Sequence, residues 1–308
     1  MDDLRILFMG TPVFAKEVLQ SLLDNNYPVV AVVSQMDKPV GRKQILQPTP
    51  VKELALAHNI KVYQFEKIRN NLEFLDECKP TLIITCAYGQ IVPNGLLSYP
   101  KYGCINVHGS LLPALRGGAP IHHALIDGYD KTGITIMDMI DKMDAGDIYT
   151  QQEVIIDDED NLDSLNLKMI KCAKELLIKT LPDYLDGKLK RQVQDESKVT
   201  FGYNIKKEEE IIDFNKPSRE VFNLIRGLSS IPCAHTVLNG KIFKIYKTKV
   251  IDSSSNKQPG LIEHDNKHLY VYCNPGKLEI LEVQLEGKSK MDVKSFLNGT
   301  KEVLEKFN

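Results

Sequence analysis

An asparagine and a histidine two residues apart end a short apolar run near the middle of the chain. The run reads GCINVH over 103–108, and its apolar, β-branched residues predict a strand. Because side chains alternate along a strand, Asn106 and His108 share one face. An amide can donate a hydrogen bond to a developing oxyanion, and a neutral imidazole can accept a proton near pH 7. The pair predicts an acyl-transfer site, with a histidine that only caps its own loop as the alternative.

A carboxylate that orients the histidine could come from the turn at 141–147, DKMDAGD. Asp141, Asp144 and Asp147 all lie there, between two strand-like runs. An aspartate in a glycine-containing turn is also common without any catalytic role. Spacing alone neither brings Asp144 to His108 nor selects it over the other two aspartates.

Short apolar runs alternate with helical patterns in the first part of the chain. Strands are predicted at 5–9, 29–34, 62–64, 81–87, 103–108, 132–140 and 148–156, and helices at 13–23, 50–58, 119–126 and 162–185. The stretch 35–47 is predicted to be a polar loop. This alternation predicts a Rossmann-like α/β domain with a mostly parallel sheet covered on both faces. In such sheets ligands bind at the carboxyl ends of the strands, where His108 is expected.

Composition changes between about residues 186 and 210, which are polar, charged and poorly periodic. Short strands with turn signals follow at 233–238, 241–250, 261–263, 268–273 and 278–283, and a short helix at 292–297. This spacing predicts a small β-barrel of the OB type. We therefore predict a catalytic domain over 1–189, a linker over 190–206 and a β-barrel domain over 207–308.

Composition bounds the class of protein. The 308 residues carry a net charge of −2, from 39 basic and 41 acidic side chains, so a basic coat for nucleic acid is not expected, whereas a local patch is compatible. Apolar runs fall short of the ~20 residues of a membrane span, and MDDLRILFMG is no secretory signal. Six cysteines form no C-x-x-C pair. We expect a cytoplasmic chain with reduced thiols and no metal.

A binding protein with a dinucleotide site and an RNA-binding tail is an alternative from another class. Such a site needs the pattern G-x-G-x-x-G after the first strand, whereas this chain reads GTPVFA at 10–15. The glycines that let a backbone approach a pyrophosphate are missing, so the sequence gives this alternative little support.

The stretch 104–121 carries a longer motif. Asn106-Val107-His108 is followed by SLLP at 110–113, RG at 116–117 and AP at 119–120. This order resembles the signature of the 10-formyltetrahydrofolate-dependent formyltransferases. The resemblance implies that Asn106 binds the oxyanion, that His108 assists proton transfer and that Asp144, in the D-x-G of MDAGD, holds His108. It implies 10-formyltetrahydrofolate as the formyl donor and no metal.

The same resemblance implies a folate site in the strand-end loops. Its implied lining residues are Tyr88, Gln90, Ile91, Val92, Ser110, Leu111, Leu112 and Pro113.

Four further stretches resemble the branch of the family whose acceptor is methionyl initiator tRNA. They are MGTPVFA at 9–15, DKPVGRKQILQPTPVK at 37–52, AYGQIVP at 87–93 and EGKSKMDVKSFLNG at 286–299. Sugar-amine N-formyltransferases share the catalytic trio and can carry a second domain, so they are the alternative enzymes. The resemblance implies a monomer that takes part in translation initiation.

Basic side chains are implied to contact tRNA phosphates, which position RNA without reading its sequence. They are Arg42 and Lys43 in the early loop and Lys206 and Lys207 in the linker. The lysines over 241–249 either follow the RNA backbone or protect an edge strand from aggregation.

Two positions depart from the family pattern, which often has tryptophan at both. The second domain opens here with Phe214 in IDF, and Ile231 begins IPCA. We interpret both residues as apolar core substitutions.

Overall fold

The computed structural model describes residues 3–40 and 44–307. The chain forms two compact units. The first comprises Met1–Pro120, Thr132–Ile155 and Asn166–Tyr203, and the second comprises Ile121–Lys131, Ile156–Leu165 and Asn204–Asn308. Each unit is thus built from segments that are distant in the sequence.

A seven-stranded sheet forms the centre of the first unit. The strands up to residue 155 are β1 (Ile6–Gly10), β2 (Val29–Ser34), β3 (Lys38–Val40), β4 (Ile45–Gln47), β5 (Lys61–Gln64), β6 (Leu82–Cys86), β7 (Cys104–His108), β8 (Lys131–Asp138) and β9 (Ile148–Ile155). The order in the sheet is β5-β2-β1-β6-β7-β8-β9. The five neighbouring strands β5, β2, β1, β6 and β7 are parallel to one another, and β8 runs antiparallel to β7. The predicted mostly parallel sheet is confirmed.

Among the described residues, six α-helices lie in the connections between these strands and after β9. They are α1 (Val13–Asp24), α2 (Pro50–Ala57), α3 (Phe74–Cys78), α4 (Asn94–Leu97), α5 (Pro120–Ile126) and α6 (Leu162–Leu185). The predictions of α1, α2, α5 and α6 are confirmed. Helices α3 and α4 have five and four residues, too few for a 3.6-residue period to show.

The prediction of a loop over 35–47 is wrong in part, because β3 and β4 pair there as an antiparallel hairpin. Each strand has three residues, and Ile45–Gln47 are all exposed, so no alternation of buried and exposed side chains marks the hairpin.

A glycine in β8 lets two chain segments approach closely. A Cβ on Gly133 would lie 2.2 Å from the carbonyl oxygen of Gln152 in β9 and 2.6 Å from Cδ2 of Leu111. A larger residue at position 133 would push β9 and the 110–113 loop away from β8.

The second unit contains a curled antiparallel sheet, a half-barrel. Its strands are β10 (His235–Leu238), β11 (Lys241–Asp252), β12 (Ile262–His264), β13 (Leu269–Cys273), β14 (Gly276–Leu285) and β15 (Met291–Asp292), and its later helices are α7 (Ser218–Leu228) and α8 (Val293–Gly299). The order is β10-β11-β14-β13-β12, with β15 on β14. The prediction of a small barrel-like domain is confirmed.

Helix α7 is absent from the predictions, although the sequence carries its signal. Val221, Ile225 and Leu228 are buried at spacings of four and three residues, which is the apolar face of a helix.

The structure separates the two departures from the family pattern. Phe214 is buried in the core of the second unit, with its ring 5.6 Å from that of Phe307, as interpreted. The interpretation of Ile231 as a core residue is wrong, because this side chain is 76% exposed.

The proposed edge protection by lysines is also wrong for the start of β11. Lys241 and Lys244 pair with β10, and Lys244 pairs with β14 on the other side, so this part of the strand is interior to the sheet. Lys247 and Lys249 pair with β14 beyond the end of β10.

All six cysteines are free thiols and are buried. Burial raises the pKa of Cys104 and Cys273 to about 12 and that of Cys172 and Cys233 to about 11. In the part of the chain that the structure describes, no helix is long and apolar enough to cross a bilayer.

We expect the six thiols to resist thiol–disulfide exchange at pH 8 while the chain is folded, because the raised pKa values leave little thiolate and burial blocks access. Titration with a chromogenic disulfide should detect no thiol in the native protein during the first minutes of reaction. After unfolding in guanidinium it should detect six. A thiol that reacts rapidly in the native protein would contradict this expectation.

Candidate functional site

Asn106 and His108 lie at the end of β7, between β6 and β8. Asn106 pairs with Thr85 of β6 and Met137 of β8, and His108 pairs with Thr135 of β8. Strand geometry directs the two side chains to one face, as the sequence predicts. Residues on two neighbouring strands therefore determine what surrounds them.

The amide of Asn106 is oriented by a hydroxyl that the sequence analysis did not identify. Thr85 Oγ1 donates to Asn106 Oδ1 over 2.8 Å, and Thr85 is 2% exposed. Because the oxygen end of the amide is occupied, the Nδ2 end is left to donate to another acceptor. Asn106 can thus serve as a fixed donor to an oxyanion.

His108 is buried between two oxygen atoms. Its Nε2 lies 3.1 Å from the carbonyl oxygen of Leu115, and its Nδ1 lies 3.6 Å from Asp144 Oδ1. A carbonyl can only accept, so Nε2 carries a hydrogen. The nitrogen that faces the carboxylate is therefore the one at which a proton can be exchanged.

Asp144 is held in place by backbone features on both sides. Its own φ is +49°, a left-handed conformation that Asp and Asn tolerate better than most residues. The backbone N–H of Gly117 donates to Asp144 Oδ2 over 2.8 Å. At Gly146, a Cβ would lie 2.0 Å from the carbonyl oxygen of Asp138. The glycine of the D-x-G motif therefore permits the turn that carries the carboxylate.

The structure distinguishes the three aspartates of this turn. Asp144 lies beside His108, whereas Asp141 is exposed. Asp147 contributes its carbonyl oxygen to a backbone hydrogen bond from Asp138 N. Of the three carboxylates, that of Asp144 is therefore the one whose ion-pair distance to His108 Nδ1, 3.6 Å, the structure gives.

Leu115 adopts an unusual backbone conformation where it contacts His108. Its φ is +58°, and its side chain is 1% exposed. Such left-handed residues cost about 1–3 kcal/mol and cluster at functional sites. The Leu115 N–H donates to Thr200 Oγ1 over 2.9 Å, which helps to hold the carbonyl towards the imidazole.

The 110–113 loop is hydrogen-bonded to Thr135 of β8 and to Gln151 of β9, whose Nε2 donates to the Leu112 carbonyl. Thr135 Oγ1 donates to the Ser110 carbonyl over 2.6 Å and accepts from Leu112 N over 3.2 Å. Ser110 Oγ donates to the Ala114 carbonyl, and Leu112 is buried. Leu111 and Pro113 are half-buried. Within this loop, the side chains of those two residues are the ones that reach the surface.

The residues after β6 separate into buried and exposed side chains. Tyr88 and Val92 are buried in the core, where burial raises the pKa of Tyr88 to about 12. Gln90 accepts from Ile68 N and donates to the Phe65 carbonyl, so its amide supports a neighbouring loop. Ile91 is 86% exposed. Of these four side chains, that of Ile91 is presented to solvent.

The basic residues named from the sequence fall into two groups, one of which the structure does not describe. Arg42 and Lys43 lie outside the described residues, and Lys206 and Lys207 are exposed residues of the second unit. Among the described residues, no group of three or more His, Cys, Asp or Glu side chains is arranged to hold a metal ion.

Comparison with known families matches both parts of the chain. Residues 4–181 match the family "Formyl transferase", and residues 204–301 match "Formyl transferase, C-terminal domain". A Listeria innocua protein named methionyl-tRNA formyltransferase is 49% identical over 305 residues, covering 98% of this chain and 97% of the relative. A Lactococcus lactis protein of the same name is 49% identical over 307 residues, covering 97% and 96%.

Solved structures with low sequence identity share the fold. The sugar 3N-formyl transferase WlaRD, in the presence of dTDP and 5-N-formyl-THF, has a TM-score of 0.67 and 20% identity, covering 93% of this chain and 99% of its own. HypX from Aquifex aeolicus, in complex with tetrahydrofolic acid, has a TM-score of 0.66 and 16% identity, covering 97% and 48%.

Replacing Thr85 by valine should lower formyl-transfer kcat about fivefold, because the Asn106 amide loses a hydrogen bond worth about 1 kcal/mol. Steady-state kinetics would measure this change. Thr132→Val is the matched control, since the Thr132 hydroxyl is also buried but has no hydrogen-bond partner among the described residues. Equal kcat values for the two variants would contradict the role of Thr85.

Replacing Gly146 by alanine should lower kcat by about a hundredfold, because the backbone must move away from Asp138 and carry Asp144 with it. Gly299→Ala is the control, since open space surrounds that position. Circular dichroism should show both variants folded. Wild-type turnover by Gly146→Ala would show that the turn does not set the position of the carboxylate.

Proposed function

Because the chain belongs to the formyl transferase family, we propose that it transfers a formyl group from 10-formyltetrahydrofolate to the α-amine of methionyl initiator tRNA, giving N-formylmethionyl-tRNA. The observation that carries this proposal is the match of nearly the whole chain, at 49% identity, to relatives of that named activity. The geometry at Asn106, His108 and Asp144 supports the chemistry.

The reaction is an acyl transfer through a tetrahedral oxyanion. The amine attacks the formyl carbon, its C–N bond forms, and the bond to N10 of the folate breaks. Asn106 donates from Nδ2 to the oxyanion, and the loss of a comparable donor costs about 2.7–4 kcal/mol of transition-state stabilisation. Thr85 supports this role by occupying the other end of the amide.

His108 moves the proton that the attacking amine must lose and the leaving nitrogen must gain. Nδ1 performs this exchange, because Nε2 is engaged with the Leu115 carbonyl. Asp144, 3.6 Å away, stabilises the imidazolium that forms. The low exposure of both groups strengthens this interaction relative to water.

The folate contributes the activated formyl group. We propose that it binds beside the loops after β6, β7 and β8, in contact with Ile91, Leu111 and Pro113. The first of these is 86% exposed, and Ile140 and Met143 are 45% and 50% exposed on the loop after β8. Exposed apolar side chains on these strand-end loops suit a flat aromatic ring such as a pterin.

The proposed folate site includes the remaining residues named from the family resemblance, which are Tyr88, Gln90, Val92, Ser110 and Leu112. Tyr88, Val92, Ser110 and Leu112 are buried, and the half-buried Gln90 is committed to internal hydrogen bonds. These five residues are therefore suited to shaping the loops, so that backbone groups contact the ligand.

The acceptor is bound through its phosphates. We propose that Arg42, Lys43, Lys206 and Lys207 contribute to this binding, which positions the RNA and depends on salt. Lys206 and Lys207 are exposed, as such a role requires. We further propose that the protein acts as a monomer in the cytoplasm.

The test is formyl transfer from 10-formyltetrahydrofolate to methionyl initiator tRNA, with uncharged tRNA and an amino-sugar nucleotide in parallel. We expect rapid formylation of the methionyl-tRNA alone. Turnover of the sugar in place of the tRNA would overturn the proposed acceptor and favour the alternative enzyme, while leaving the chemistry of the trio intact.

His108→Ala should lower kcat by about 10²–10⁴-fold, because proton transfer loses its catalyst, and Asp144→Asn should also lose turnover. Asparagine tolerates the left-handed conformation of position 144 and can still accept from Gly117 N, so the second variant removes mainly the charge. Filter binding at two salt concentrations should show nearly unchanged affinity for tRNA. Full activity in either variant would refute the catalytic assignment.

A further inference from the structure

The arginine of the RG pair at 116–117 does not reach the surface. Arg116 is 1% exposed, although it lies between Leu115 and Gly117, which contact His108 and Asp144. Its Nε and Nη2 donate to Gln194 Oε1 over 3.1 and 2.8 Å, and Nη2 also donates to Glu196 Oε1 over 2.9 Å. The guanidinium is therefore committed to internal contacts and is unsuited to binding a phosphate.

Gln194 uses the other end of its amide at the catalytic turn. Its Nε2 donates to the carbonyl oxygens of Asp144 and Gly146 over 2.9 and 2.7 Å, and the residue is 6% exposed. One buried amide thus contacts both segments around His108. The 115–117 segment carries the Leu115 carbonyl, which accepts from Nε2 of His108. The other segment carries the Asp144 carboxylate, which faces Nδ1 of His108.

We propose that Gln194 is a positioning residue for the His108–Asp144 pair. It sets the position of the Asp144 turn relative to the 115–117 segment, and thereby the distance from the carboxylate to the imidazole. This inference rests on the proposed function and adds a residue that the catalytic motifs do not contain.

Backbone pairing fixes the segment from which Gln194 extends. Gln192 exchanges two backbone hydrogen bonds with Ile148, at the start of β9. Further along, Arg116 N donates to the Thr200 carbonyl over 2.9 Å, and Gly202 N donates to the Arg116 carbonyl over 2.8 Å. Gln194 is therefore held on both sides by the elements it connects.

The chemistry of the position requires an amide. Two carbonyl oxygens face one end of the side chain and a guanidinium faces the other, so donors and acceptors must be combined in one group. Glutamate has the same shape and would still accept from Arg116. It would, however, present an oxygen to the carbonyls of Asp144 and Gly146, which repels the catalytic turn.

Gln194→Glu tests this inference, with Gln192→Glu as the matched control. The control makes the same change two residues away, where the side chain is exposed. We expect kcat for methionyl-tRNA to fall about ten- to a hundredfold in the first variant, with KM for both substrates within twofold of wild type. The control should keep wild-type kinetics.

Ring ¹⁵N chemical shifts of His108, assigned with a His108→Asn variant, give a readout that needs no turnover. They should change in Gln194→Glu and not in Gln192→Glu. If the wild type does not formylate methionyl-tRNA, the proposed function fails while this measurement still tests the positioning role. An unchanged His108 spectrum, or a kcat within twofold of wild type, would overturn the inference.

A double variant, Arg116→Met with Gln194→Met, guards against loss of folding in the first variant. It removes the buried guanidinium together with its acceptor, so no unpaired charge remains. A folded double variant should show the same loss of kcat and the same change at His108. Wild-type values, or the failure of both variants to fold, would make Gln194 a structural residue and overturn the proposal.

Discussion

The site depends on an imidazole held between two oxygen acceptors. His108 is fixed by strand β7, but the Leu115 carbonyl and the Asp144 carboxylate come from separate loops. Neither loop has regular structure to hold it, and both contain a residue with a left-handed backbone. The surrounding hydrogen bonds from Gly117 and to Thr200 are what keep these conformations populated.

The function proposed for Asn106 depends on which way its side-chain amide is turned. The Oδ1 acceptor and the Nδ2 donor have nearly the same shape, so packing alone does not distinguish them. Only the donor end can stabilise an oxyanion. The hydroxyl of Thr85, on the adjacent parallel strand, distinguishes the two ends by binding the oxygen. The sheet therefore provides orientation as well as proximity, because the register of β6 and β7 places Thr85 opposite Asn106.

The sequence predicted most elements and the placement of Asn106 and His108 on one face of β7, since a period of two and short apolar runs are local properties. It did not distinguish Asp144 from Asp141 and Asp147, because turn residues carry no periodicity. Thr85 and Gln194 were missed for a related reason. They are 21 residues from Asn106 and 50 residues from Asp144, and no local pattern encodes such contacts. Ile231 shows the reverse error, since an apolar side chain alone does not specify burial.

The family descriptions end at residue 181 and resume at residue 204, so the 182–203 segment belongs to neither. Composition marks much of it as a connection, yet its residues from 192 to 202 pair with β9 and with the 115–119 loop. A chimaera of two relatives joined after Tyr203 therefore keeps the 192–202 segment with the loops that it supports. The segments Ile121–Lys131 and Ile156–Leu165 of the second unit then come from the relative that supplies the first unit. A junction placed before residue 192 would combine the 115–119 loop and the Asp144 turn of one protein with another protein's support for them. An alignment of the two matched domains, which end at 181 and begin at 204, would not show this mismatch.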